Sequence, residues 1–222
     1  MTSDVRLLAI DTATSRLVVA VGGADGTPLA LHAAPAGQRH GEDLLPAVRD
    51  VLAAAGARLD SVVAIVVGTG PGAFTGMRVG IATAKGLASA LRVPIVGVST
   101  AAALLAAAGL PPHAVVLLPA GPSDRVLVRG GVAELIRGRD AAAPPPDADL
   151  LAVDLDGRAP AAAVARGAAA LDGLPGALLR LGAARFALGE ADDLSRLVPE
   201  YVSLPRGVGA SSGEVAWSRG RR

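Results

Sequence analysis

At 222 residues the chain is long enough to bury about 70% of its unfolded surface, and with 51% hydrophobic and 18% charged residues it reads as a globular protein and not a disordered one. Lysine and arginine number 21 against 20 acidic residues, so no strong field draws the chain to nucleic acid or to a membrane surface. Phe74, Phe186, Tyr201 and Trp217 are the whole aromatic complement, too few to stack bases, and the lack of cysteine excludes thiol nucleophiles, disulfides and cysteine-ligated zinc.

The opening residues carry Asp4 before a short apolar run, unlike a secretory leader. No run of about 18 apolar residues escapes a charge, glycine or proline, so no membrane span is expected and the chain is expected in the cytoplasm. Val5–Ile10, Leu17–Val21 and Pro28–Ala33 are short β-like runs joined by polar turns, an antiparallel meander. From Glu42 the apolar positions Leu44, Leu45, Val48, Val51, Leu52 and Ala55 follow one helical face, which Gly56 ends. Val62–Val67 is a continuous apolar run, expected of a strand covered on both faces.

A glycine segment, Gly68 to Gly76, then opens a helix expected over Thr75–Leu91; Pro94–Val98 is another buried strand, and Ser99 caps a helix over Thr100–Ala108. The order βββαβαβα is that of a ribonuclease H-like lobe of the actin type, with a five-stranded mixed sheet. Beyond it, Ala114–Leu118 and Arg125–Val132 form a hairpin around Pro119–Asp124, Leu150–Leu155 is a strand, and Pro175–Leu188 is a helix started by its proline and ended by Gly189.

The glycine segment imitates a dinucleotide fingerprint, but no Asp or Glu occurs between Ser61 and Ser123 to bind a ribose, and no Gly-Lys-Ser/Thr follows for a Walker loop. It is either a strand-to-helix turn that needs glycine for packing, or a turn whose free amides face an anion. Asp11, Thr12 and Thr14 end the first strand, either as a simple polar turn or as a carboxylate and hydroxyls facing phosphate. Asp11, Thr12, Thr14, Gly70, Gly72 and Arg78 are therefore the candidate nucleotide-facing residues. Gly76, Gly80 and Ala84 recur every four residues and leave one helix flank flat, against the chain's own sheet or against a partner. His32, His40 and His113 show no metal-ligand spacing, and G-x-S-x-G is absent, so neither catalytic nor metal residues are assigned.

LAIDTAT at Leu8–Thr14, His40 with Leu44-Leu45-Pro46, GPGAFTGMRVG at Gly70–Gly80 and PIVGVST at Pro94–Thr100 occur together over about the first 105 residues. In this order and spacing they resemble the TsaB (YeaZ) family, and Pro199–Val202 and Val215–Trp217 are similar to its closing segment. The turn Pro119–Arg125 departs from the Asp-Ala-Arg turn frequent in that family. The resemblance implies two actin-like lobes, an α/β fold of mixed sheets flanked by helices, divided as residues 1–105 and a degenerate lobe at 106–205; Gly207–Gly213, rich in glycine and serine, reads as part of a mobile tail at 206–222. It implies a non-catalytic subunit that binds and activates TsaD in threonylcarbamoylation of the tRNA adenosine next to the anticodon. An actin-like ATPase or glycoprotease-like enzyme is the alternative. TsaE joins in the larger complex, a homodimer through the same helices is the other assembly, and tRNA is reached only through the complex. No cofactor of its own is expected, with ATP, ADP or Mg²⁺ only at a complex interface. The family's helix pair implies a partner surface at Leu44, Leu45, Val48, Gly76, Gly80 and Ala84.

Overall fold

The computed structural model describes residues 5–35, 39–138 and 149–202. Strands β1 (Arg6–Asp11), β2 (Arg16–Gly23) and β3 (Pro28–Pro35) form the antiparallel meander. After helix α1 (His40–Ala54), β4 (Val62–Gly68), helix α2 (Phe74–Leu91), β5 (Ile95–Val98) and helix α3 (Thr100–Ala107) complete the first half. The sheet order is β3-β2-β1-β4-β5, with β1, β4 and β5 parallel. A second sheet, ordered β8-β7-β6-β9, comprises β6 (Val115–Pro119), β7 (Arg125–Arg129), β8 (Val132–Ile136) and β9 (Leu150–Ala152), and helix α4 (Ala161–Ala187) follows it. The mixed α/β architecture is the one the βββαβαβα order predicts.

Strand alternation divides the core. Leu8, Ile10, Val19, Val21, Ile65 and Val67 point to one face of the first sheet, where α1 and α2 cover them with Leu44, Val48, Val51, Ile81 and Ala84. Leu7, Ala9, Val18, Ala20, Ala64 and Val66 point to the other face, where Leu104 of α3 and Leu174, Leu178 and Leu179 of α4 meet them. That cluster also includes Val116, Leu118, Val126 and Leu151 of the second sheet, so one apolar core runs between the sheets. Among the described residues no helix is long and apolar enough to cross a membrane.

Three elements differ from the sequence expectation. Helix α4 begins at Ala161, with Pro175 inside it and buried. Proline lacks an N–H, which costs the helix one hydrogen bond, but Leu171, Leu174, Leu178 and Leu179 continue the buried face across it. The run Arg125–Val132 is split by Gly130 and Gly131, both with positive φ, into β7 and the start of β8. Strand β9 stops at Ala152, because the chain then turns at Asp154, which has φ +55°. The Gly207–Gly213 tail lies outside the described residues.

The small-residue flank of α2 faces inward. A Cβ on Gly76 would lie 2.0 Å from the Thr12 carbonyl oxygen, and one on Gly80 would lie 2.3 Å from Thr12 Oγ1. Ala84 is fully buried in the α1–α2 core. Gly86, on the same helix, is exposed with open space where a Cβ would stand. Gly80→Ala should therefore destabilise the monomer by about 1–3 kcal/mol through overpacking, whereas Gly86→Ala should stabilise it by about 0.5–1 kcal/mol. Urea denaturation of the two variants beside wild type checks both signs.

Candidate functional site

The parallel strands β1, β4 and β5 end on one edge of the first sheet, and their carboxyl ends bring Asp11, Gly68 and Val98 together. Asp11 is fully buried. Its Oδ1 accepts from the Ala13 amide at 2.8 Å, and its Oδ2 accepts from the Thr100 hydroxyl at 2.6 Å. Thr100 Oγ1 in turn accepts from the Gly70 amide at 3.0 Å, and the Thr100 amide donates to the Gly70 carbonyl at 2.7 Å. A Cβ on Gly68 would fall 1.8 Å from Asp11 Oδ2, so only glycine can end β4 beneath that carboxylate.

The turn after Asp11 grips the glycine segment from the other side. Thr12 Oγ1 donates to the Gly76 carbonyl at 2.7 Å, and the Ala73 amide donates to the Ala13 carbonyl at 2.7 Å. Gly72 packs against the same Ala13 carbonyl, and Gly70, with φ +97° and a cis bond to Pro71, packs against the Met77 sulfur. Thr14 is buried and accepts from the Arg16 amide. Arg78 is exposed, with its guanidinium carbon 5.2 Å from the centre of the Phe74 ring. Of the six residues considered as nucleotide-facing, Asp11, Thr12, Thr14, Gly70 and Gly72 are thus engaged with one another or with the chain around them. Arg78 lies over an aromatic ring.

The segment after α4 returns to this edge. Asp192 bridges to β5 and accepts from the Gly97 amide at 2.7 Å and from Arg185 Nη1 at 3.2 Å. Glu200 exchanges two hydrogen bonds with Thr69, its amide donating to the Thr69 carbonyl and its carboxylate accepting from the Thr69 hydroxyl. Tyr201 packs on Phe74 at 5.2 Å between ring centres. Between the glycine segment, the end of β6 and this segment lies a cavity of about 410 Å³, lined by Pro71, Met77, Pro119, Val126, Glu200 and Tyr201 among others. Across the gap, Asp154 accepts from both the amide and the hydroxyl of Ser15, joining the first turn to the second sheet.

The sequence reading passed over Thr100, Thr69, Glu200 and Asp154. Thr100 had a signal: it follows the buried strand read at Pro94–Val98, and it closes the PIVGVST motif. Glu200 and Asp154 meet their partners across 131 and 139 residues, and no local pattern marks such pairs. Of the residues considered as a partner surface, Leu44 and Val48 are buried in the α1–α2 core beside Ala84, and Gly76 and Gly80 face Thr12. Leu45 is the exception, 56% exposed on α1.

Burial pushes the Asp11 carboxyl up to about 6, against the opposing hydrogen bonds from Thr100 and Ala13. Burial also raises Glu200, while hydrogen bonds from Thr69 and Ser99 act to lower it. Between pH 4 and 6 the folded chain holds a proton on Asp11 that the unfolded chain has lost, so this group's stabilisation is present at the acid end and is lost as pH rises through about 6. Denaturation series from pH 4 to 7 should show stability falling by about 3 kcal/mol from this source, and Asp11→Asn should flatten the slope.

A family model described as "TsaD: tRNA N6-adenosine threonylcarbamoyltransferase" matches residues 32–175. The tRNA threonylcarbamoyladenosine biosynthesis protein TsaB of Escherichia coli K12 is 45% identical over 95 residues, 43% of this chain and 40% of that protein. The Haemophilus influenzae protein of the same name is 38% identical over 103 residues, 46% of this chain and 42% of that protein. The chain thus spans less than half the length of these curated relatives. The solved structure of YeaZ from Pseudomonas aeruginosa superposes with a TM-score of 0.62 at 30% identity, covering 89% of this chain and 99% of that one. A second, described as an uncharacterized protein with similarity to peptidase YEAZ from Pseudomonas aeruginosa, gives 0.69 at 30% identity, covering 90% and 100%.

Proposed function

The chain belongs to the TsaB (YeaZ) family, and from that premise we propose that it is an accessory subunit in threonylcarbamoylation of tRNA adenosine, binding and activating a TsaD-type transferase and not carrying out the transfer itself. The observation that carries this reading is the state of the first turn. Asp11 and Thr12, which would meet a hydrated metal and phosphate in an actin-like ATPase, spend their polar groups on Ala13, Thr100 and Gly76. The turn works as a clasp that holds the glycine segment. Binding a nucleotide there would require breaking hydrogen bonds that are buried, at about 1–3 kcal/mol for each group left without a partner.

The partner surface in this reading centres on the outward side of α1, where Leu45 is a large apolar side chain in solvent. Leu44 and Val48 hold that helix on the sheet behind it. The TsaD-type chain is the first partner and TsaE joins the larger complex; a homodimer through α1 is the competing assembly. ATP, ADP or Mg²⁺ enters only at an interface between subunits, tRNA is reached only through the complex, and the working compartment is the cytoplasm.

Mixing the purified chain with its cognate TsaD-type transferase and separating the products by size exclusion tests this. A heterodimer should form, and threonylcarbamoyl transfer should require both chains. Leu45→Asp should raise the Kd at least tenfold, about 1.4 kcal/mol, with no loss in melting temperature. ATP or peptide hydrolysis by the isolated chain would favour the ATPase or glycoprotease-like alternative, and no association with the transferase would overturn the proposal.

A further inference from the structure

An edge strand turns every second backbone N–H and C=O away from its one neighbour, and natural sheets protect such edges against pairing with other chains. Among the described residues the two sheets have four edge strands, β3, β5, β8 and β9. Three of them carry a protective device. β5 is bridged by the segment after α4, where the Asp192 amide donates to the Ile95 carbonyl at 2.8 Å and the Asp192 carboxylate accepts from the Gly97 amide at 2.7 Å. β9 has only three residues, and β8 has the exposed Glu134 at its middle. β3 is different: eight residues, PLALHAAP, with no Lys, Arg, Asp or Glu, and with Leu29 and Leu31 about half exposed. Its own devices stand at its ends. Pro28 and Pro35 lack an N–H, and the ladder with β2 shifts between Val21 and Gly22, so Ala30–Ala34 remains as a regular, uncharged stretch.

The partner that this stretch fits is a second copy of itself. A two-fold axis perpendicular to the sheet keeps each side chain on its own face, so it must pass through a residue, and the middle of Ala30–Ala34 is His32. Antiparallel pairing about that point sets Leu31 of each copy over the small Ala33 of the partner subunit, and Ala30 opposite Ala34 of the partner subunit. No like charges are opposed, because the stretch has none. The contact is wider than one strand. Ala30 packs with the α1 core and Ala33 with the α4 core, so β3 is the middle of a three-layer end. With eight residues at ~3.3 Å each and a helix layer ~10 Å away on either side, that end offers roughly 500–650 Å² per copy, just clearing the ~1,000 Å² total of a specific interface. Pairing also stops at two copies, since the far edge of the same sheet is the one that Asp192 bridges.

We propose that two copies of the chain pair edge to edge through β3, antiparallel about His32, joining their five-stranded sheets into one of ten strands. The inference does not rest on the role beside a transferase, and it uses a different surface from a homodimer through α1. Sedimentation of the full-length chain up to about 100 µM should show a reversible monomer–dimer equilibrium. Leu31→Arg, a charge on a half-exposed side chain, should raise the dimer Kd at least tenfold with far-ultraviolet circular dichroism unchanged. Because the chain has no cysteine, His32→Cys gives a second readout that does not depend on the arginine variant folding. Facing residues of an antiparallel pair lie ~4.5–5.5 Å apart between Cα atoms, within disulfide reach, so mild oxidation should link the His32→Cys chains into a covalent dimer, and Leu45→Cys should not link. A wild-type chain that stays monomeric over the whole range overturns the proposal. So does a dimer that persists in folded Leu31→Arg, a His32→Cys chain that fails to link, or a dimer dissolved by Leu45→Asp and kept by Leu31→Arg, which places the contact on α1.

Discussion

A carboxylate with no access to water must find its partners inside the protein, and Asp11 finds them in a hydroxyl and an amide. Thr100 is committed by this arrangement. Its oxygen accepts from Gly70, so its one proton goes to Asp11, and the two contacts fix the glycine segment, the end of β1 and the start of α3 relative to one another. Gly68 has no side chain because the Asp11 carboxylate occupies the space. The second sheet depends on the same point at one remove, since α3 carries Leu104 into the core that both sheets share.

The inward turn of the α2 flank follows from the clasp as well. Thr12 reaches the Gly76 carbonyl only because no side chain stands between the β1 turn and the helix, and a second gap at Gly80 makes room for the threonine hydroxyl. Glycine spacing of this kind reports that two backbones meet closely; it does not report which two. Here the second backbone belongs to the same chain, while Leu45 of α1 points to solvent.

The first half of the fold was legible in the sequence because its elements are strongly patterned and short in range. The buried run at 62–67, the meander before it and the helix face from Leu44 to Ala55 each carry their own periodicity. The second half was legible in part: the hairpin around Pro119–Asp124 and the strand opening at Leu150 stand, but the start of the last helix does not. Pro175 marks a helix start by local rules, yet Leu171, Leu174, Leu178 and Leu179 form one buried face through it, and tertiary burial outweighs the missing hydrogen bond. The Asp11 turn was legible as a polar turn, but its partner Thr100 lies 89 residues away, and only the parallel alignment of β1, β4 and β5 brings the two together. The terminal contacts of Asp192 and Glu200 with β5 and Thr69 depend on the return path of the chain after α4, which no spacing encodes.

That return path has a temporal side. The face of the first sheet formed by Leu7, Ala9, Val18 and Val66 is covered by α4, whose Leu178 and Leu179 follow Val66 by more than a hundred residues. On a ribosome adding ~5–20 residues per second, the strands exist for roughly 5–20 s before their cover is made. During that interval α1 and α2 can close one side of the sheet, and the other side stands open as an apolar surface. The first sheet can therefore be buried on that side only after α4 emerges, the last of the elements that share this core.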